Sequence, residues 1–182
     1  MTVTFEEFPK IARLNRPCVV TEKIDGTNGQ VIITDDGEIH VASRSCLITT
    51  TNDNHGFAAW VQANKDDLLT LGPGRHFGEW WGSGIQRKYG LTGTDKRFSL
   101  FNTFRWSDPT VRPKCCHVVP ILYEGLFSTG AIQACLNDLV EHGSHAVPDF
   151  MKPEGVVVWH IAGQIAFKAT IEKDEEWKGK SK

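Results

Sequence analysis

A lysine followed by a tight glycine turn, Lys23-Ile24-Asp25-Gly26-Thr27-Asn28, lies between two strand-like runs, Cys18-Val19-Val20-Thr21-Glu22 and Gly29-Gln30-Val31-Ile32-Ile33. The chain must leave one strand, turn within a few residues and enter the next, which puts the lysine at the mouth of a sheet. Gly26 lets the backbone come close to a ligand. A lysine amine is almost fully protonated at pH 7, with an unperturbed pKa of about 10.4. To act as a nucleophile it needs surroundings that favour the free amine. The same hexamer also describes an ordinary hairpin turn with a surface lysine, and the string alone leaves both readings open.

The rest of the chain is dominated by period-two or continuous apolar runs separated by turn residues. These predict strands near 18–24, 28–34, 38–43, 75–81, 97–104, 117–124, 155–160 and 163–170. Asp35-Asp36-Gly37 is a hairpin turn signal between the second and third. In 130–142, Ile132, Cys135, Leu136, Leu139 and Val140 recur at helical spacing, with Gly143 where a C-terminal cap belongs. A less regular stripe predicts a helix over 55–70. Thr4 and Glu7 suggest a capping box for a short helix near 5–14, against which Pro9 counts. Both long stripes read as core. The pattern is α+β: mostly antiparallel strands with helices outside.

Length and composition frame a single domain over residues 1–182. Apolar residues make up 40% and charged residues 23% of the chain, which are globular values. No apolar run approaches the ~20 residues that span a bilayer, so no membrane partner is expected. No basic stretch followed by an apolar one opens the chain, so no secretory signal is read. The five cysteines are odd in number and lack paired C-x-x-C spacing, which reads as reduced thiols in a cytoplasmic protein. Cys115-Cys116-His117 has poor spacing for tetrahedral zinc. A net charge of −2 does not advertise a nucleic-acid binder. Basic residues nonetheless cluster at Arg87, Lys88, Lys96 and Arg97, and again at Lys173, Lys178, Lys180 and Lys182. Both clusters also suit a solvated surface.

Five further segments follow the lysine turn in order: Ser43-Arg44-Ser45, Phe77-Gly78-Glu79-Trp80-Trp81-Gly82, Ser99-Leu100-Phe101-Asn102-Thr103-Phe104, Glu154-Gly155-Val156-Val157-Val158 and Ala166-Phe167-Lys168. With the turn they resemble the covalent nucleotidyltransferases, a superfamily of RNA ligases, DNA ligases and mRNA capping enzymes. The chain looks most like the ATP-dependent RNA ligases of the phage and RNA-editing type. Each motif is weak singly; the ordered set, over roughly residues 20 to 170, is strong. Asn28 favours the RNA ligases, since the other branches usually carry arginine there.

The resemblance implies an ATP-grasp-like nucleotidyltransferase domain with two mainly antiparallel sheets around a nucleotide cleft. It implies that Lys23 attacks the α-phosphorus of ATP, that the AMP passes to an RNA 5′-phosphate end, and that a 3′-hydroxyl then seals the strand, with a nicked duplex among the candidate substrates. Lys168 is expected to hold the α-phosphate and, as a nearby cation, to favour the free amine of Lys23. Glu154 is the expected ligand of Mg²⁺ or Mn²⁺, a hard cation suited to oxygen donors. Glu79 matches a residue that bonds the ribose hydroxyls. Phe101 and Val157 match the two walls of an adenine slot, and Glu22 a residue that reads the adenine amino group. Arg44 matches an arginine that engages a phosphate, a contact suited to a guanidinium. Asp25 is expected to orient Lys23 or a metal-bound water, and Asn28 to act near the reactive phosphate; either could equally be a turn-former.

Two departures stand out. Thr170 occupies a position where these ligases usually have a second lysine. The chain also ends soon after Lys168, without the OB-type or helical C-terminal domain of related enzymes, so a partner chain could supply one. The leading reading is an ATP-dependent RNA ligase catalytic domain acting in RNA repair. The alternatives are a DNA ligase or capping-type transferase, and a nucleotide- or nucleic-acid-binding protein without full sealing activity.

Overall fold

The computed structural model describes residues 3–172. Ten strands form two sheets. One has four antiparallel strands in the order β10-β9-β1-β8, where β1 is Pro17–Lys23, β8 Ile121–Leu126, β9 Gly155–His160 and β10 Ile165–Thr170. The other has six in the order β4-β3-β2-β5-β6-β7: Leu47–Ile48, Ile39–Ala42, Thr27–Ile33, Gly74–Gly82, Lys96–Leu100 and Cys116–Val118. Only the β6–β7 pair is parallel among these ladders. This is the two-sheet α+β architecture expected from the sequence.

Alternation along β1 sorts its side chains between two environments. Cys18 and Val20 face α4, Thr129–His142, and join Cys135, Leu139, Val156 and Val158 in one apolar core. Val19, Thr21 and Lys23 face the other way, into a cleft between the sheets. The helix starts where the Ser128 hydroxyl accepts the Ala131 N–H, and stops at Gly143, whose φ is 81°, as the stripe and glycine predict. A second core lies outside the six-stranded sheet, where Val31, Trp80 and Phe98 pack with Phe57 and Val61 of α1, Phe57–Ala63. Ile24, Trp81, Tyr89 and Val119 form a third cluster at the cleft end that holds the lysine turn.

Four expectations differ from the structure. The helix over 55–70 is two, α1 and α2 (Lys65–Leu69), because the backbone leaves the helical region at Asn64, with φ −113° and ψ 21°; its side-chain amide adds a second donor to the Trp60 carbonyl. The strand over 97–104 ends at Leu100; Asn102 caps a short helix α3, Thr103–Trp106, by accepting the Arg105 N–H. Phe104 is exposed on that helix. The run at 117–124 is split between β7 and β8 at Pro120, which has no N–H to donate and whose carbonyl accepts from Glu22. Residues 5–14 form no helix, and Phe5, Phe8 and Ile11 stay exposed. Lys173, Lys178, Lys180 and Lys182 lie outside the described residues.

Leu139 is fully buried between α4 and the four-stranded sheet. Leu139→Ala is expected to cost about 2–5 kcal/mol of unfolding free energy, by lost transfer and by the cavity left behind, read from the midpoint shift in urea.

Candidate active site

The cleft between the sheets has a volume of about 810 Å³, within the range of small-molecule sites. One wall is the inward face of β1, β9 and β10. Register fixes its rows: Lys23 is opposite Gly155 and then Thr170, and Thr21 is opposite Val157 and then Lys168. Lys168 is exposed and shares the strand face of the cleft-lining Ala166, two residues away. The other wall comes from β2 and β5, where Asn28 is opposite Glu79. Phe101 and Asn102 close the cleft from the loop after β6.

Lys23 ends β1, and its Nζ donates to Glu154 Oε2 at 2.5 Å. Side-chain exposures of 24% and 19% mean that solvent screens this pair less than a surface bridge. Glu154 is held beside Lys23 by its neighbour: Gly155 has φ 152°, and a Cβ there would lie 2.2 Å from the Ala169 carbonyl oxygen. Only glycine lets β9 start so close to β10.

Glu79 is buried, and its two oxygens accept the Gly26 N–H and the Asn28 side-chain amide, each at 3.1 Å. It thus fastens the lysine turn to β5. Gly26 is required for that approach, since a Cβ would sit 2.5 Å from the Trp80 carbonyl oxygen. Burial pushes the Glu79 carboxyl up to about 7, with the charge of Lys23 and the Gly26 N–H opposing the rise. A carboxylate has lone pairs beyond the two in use, so Glu79 can still accept from a ligand hydroxyl.

Of the residues singled out in the sequence, Lys23, Asn28, Glu79, Phe101 and Val157 line the cleft, as does Glu22, although its carboxylate is bonded on the α4 side, with Glu154 bonded to Lys23 and Lys168 on the adjoining strand face. Phe101 is 42% exposed, so its ring is available to a ligand. Three assignments meet different surroundings. The Glu22 carboxylate accepts from Ser144 Oγ at 2.6 Å, His145 N at 2.9 Å and Ala146 N at 3.0 Å. Strand alternation turns the carboxylate away from Lys23, and it fixes the loop after α4. Burial raises its pKa, and these three bonds oppose the rise. The Asp25 carboxylate accepts from Arg87 Nε at 3.1 Å. Arg44 sits in the exposed turn after β3, outside the cleft lining.

The basic cluster after the Trp-Trp-Gly motif is largely engaged within the fold. Arg87 bonds Asp25, Arg97 pairs with Asp95 at 3.1 Å, and Lys96 donates to the His55 carbonyl at 2.7 Å. Sequence reasoning missed Arg87 and Tyr89, whose hydroxyl accepts the Asp25 N–H at 2.9 Å; no local pattern ties them to the lysine turn 62 and 64 residues away. It also missed Trp159 and Phe77, which line the cleft and read in sequence as ordinary strand aromatics.

Among the described residues no three His, Cys, Asp or Glu side chains gather as a metal site. A cation carried in by a polyphosphate needs only one or two protein carboxylates and completes its shell with phosphate and water. Glu154 is the carboxylate at hand.

A family model described as RNA ligase matches residues 16–170. No curated protein matches the sequence. Among solved structures the chain is similar to a ligand-free mutant of the Naegleria gruberi RNA ligase, at 25% identity and TM-score 0.58, over 86% of this chain and 50% of that one. Another mutant of that ligase, with ATP and Mn, matches at 23% identity and TM-score 0.64, over 87% and 51%. One with AMP and Mn matches at 24% and 0.62, over 86% and 50%. The chain spans about half the length of these solved ligases, and the fold is common to them.

The raised pKa of Glu79 predicts a pH dependence. Between its ordinary 4.5 and about 7 the folded form holds a proton that the unfolded form has lost, so this group's contribution to stability falls as pH rises through that window. Glu79→Gln removes the titration. From pH 4.5 to pH 8 wild type should lose on the order of 3 kcal/mol relative to the variant, measured by denaturant unfolding at both pH values. Parallel curves would contradict the buried-carboxyl assignment.

Proposed function

The chain belongs to the RNA ligase family, and from that premise we propose that it is an ATP-dependent ligase domain joining RNA 5′-phosphate and 3′-hydroxyl ends through a lysyl-AMP at Lys23. The observation that carries this reading is the contact of Lys23 Nζ with Glu154 Oε2 at one end of a cleft whose walls present Glu79, Phe101 and Val157. That set offers a nucleophile, a carboxylate for a phosphate-borne cation, a hydroxyl acceptor and two apolar surfaces in one space.

ATP enters with its adenine between Phe101 and Val157 and its ribose hydroxyls toward Glu79. The Nζ lone pair bonds to the α-phosphorus while the bond to the bridging oxygen breaks. Pyrophosphate leaves with that electron pair, and Nζ sheds a proton as the phosphoramidate forms. Lys168 offsets the charge that develops on the α-phosphate oxygens. A 5′-phosphate oxygen of RNA then takes the AMP and returns Lys23 as the leaving amine. Last, a 3′-hydroxyl attacks the 5′-phosphorus, loses its proton and expels AMP. Asn28, at the cleft mouth beside Glu79, is suited to bond the phosphates in these later steps, and Arg44 to bind the strand outside the cleft. Mg²⁺ or Mn²⁺ at Glu154 would neutralise phosphate charge; the ATP and Mn of the Naegleria structures support both ligands. Because the chain spans half of those ligases, a further domain or partner chain is a natural aid in gripping RNA.

The test is a sealing assay with ATP and Mg²⁺ on nicked RNA duplex, nicked DNA duplex and single-stranded RNA. Wild type should join RNA ends, and Lys23→Ala should fall to background while keeping its circular-dichroism spectrum. Joining by the variant, or of DNA alone, would overturn the reading. Phe101→Ala should weaken ATP binding by roughly 5- to 100-fold, the range of one aromatic–base stack, measured by calorimetry. Unchanged affinity would mean that the adenine lies elsewhere.

A further inference from the structure

The guanidinium of Arg87 touches three separate segments. Its Nε donates to Asp25 Oδ2 at 3.1 Å, Nη1 donates to the Lys152 carbonyl at 3.1 Å, and Nη2 lies 3.7 Å from Glu172 Oε2. Asp25 follows Lys23 by two residues, Lys152 precedes Glu154 by two, and Glu172 follows Lys168 by four. One rigid planar fork therefore ties together the segments that carry the amine, the carboxylate and the β10 lysine.

The segment that presents Arg87 is itself strained. Gln86, Lys88 and Tyr89 have φ of 42°, 61° and 50°, left-handed conformations that non-glycine residues adopt only where their surroundings enforce them. The enforcement is visible. The buried Tyr89 ring lies 5.0 Å from the Trp81 ring and 4.5 Å from that of Phe150, centroid to centroid. Its hydroxyl accepts the Asp25 N–H at 2.9 Å. Asp25 is thus gripped by its main chain and by its carboxylate, both from residues 87–89. Strain held in place beside a candidate nucleophile points to geometry that the chemistry needs.

We propose that Arg87 is a positioning residue for nucleotide transfer: with Tyr89 it locks the lysine turn against the Glu154 and β10 segments, so that Nζ meets the α-phosphate in line. The proposal rests on the ligase reading above. Small misplacements of a reacting group cost large factors in rate, whereas a bridge that merely stabilises the fold leaves the rate of a folded variant intact.

Single-turnover capture of AMP at saturating ATP separates the two. For Arg87→Ala, with its fold checked by circular dichroism, the rate constant should fall roughly 10- to 100-fold, while the dissociation constant for ATP stays within about two-fold. Arg87→Lys, which keeps the charge and loses the fork, should fall between wild type and Arg87→Ala. Tyr89→Phe, which keeps the ring and loses the acceptor, should slow capture at unchanged ATP affinity. A folded Arg87→Ala protein with wild-type capture overturns the proposal. If that variant does not fold, wild-type rates in both Arg87→Lys and Tyr89→Phe overturn it. Absence of capture by wild type removes the ligase reading and this inference together; capture by wild type that the variants leave undiminished removes this inference alone.

Discussion

Two consecutive residues at the end of β1 face opposite sides of a sheet, and the organisation of the molecule follows from that alternation. Lys23 enters the cleft and meets Glu154. Glu22 enters the layer behind and collects three hydrogen bonds from residues 144–146. The second contact anchors the first. A carboxylate buried at the α4 face, satisfied by donors from the loop after that helix, resists any slip of β1 in register. A slip of one residue would exchange the two side chains between cleft and core, burying an amine where the Ser144 hydroxyl and the His145 and Ala146 N–H groups now donate to Glu22. The desolvation cost of that swap makes the cleft orientation of Lys23 a consequence of the core.

The lysine turn is held from several directions at once. Glu79 takes the Gly26 N–H and the Asn28 amide; Tyr89 takes the Asp25 N–H, and Arg87 its carboxylate. Ile24 is buried among Trp81, Tyr89 and Val119. A turn that would otherwise be a surface loop is fastened at nearly every residue. Such preorganisation suits a nucleophile that must present one lone pair along one line. Gly26 and Gly155 make it sterically feasible, because each lies where a methyl group would strike a neighbouring carbonyl oxygen.

Much of this was legible in the chain, in uneven ways. Strands appeared close to their true limits because period-two alternation is a local signal, and α4 because its stripe, serine cap and glycine stop agree. Helix 55–70 and strand 97–104 were misread at single asparagines: the backbone leaves the helical region at Asn64, and the Asn102 side chain caps a new helix, events that hydrophobic patterning does not register. The residues gathered at the cleft came from the ordered motifs, not from periodicity. What stayed hidden was the use of side chains across long separations. Glu22 and Asp25 looked like site residues by position, yet their carboxylates are committed to Ser144 and Arg87. Arg87 stood open between a basic patch and a solvated surface, yet it bridges three segments. Partnerships between residues 62 or 122 positions apart leave no trace in a single sequence.

The account stands or falls on whether Lys23 becomes covalently charged. The most direct measurement is intact-protein mass spectrometry after incubation with ATP and Mg²⁺, with GTP and NAD in parallel, followed by peptide mapping. The account predicts an adduct of AMP mass, formed from ATP and located on Lys23. An adduct on any other residue, or none with any nucleotide, would contradict it.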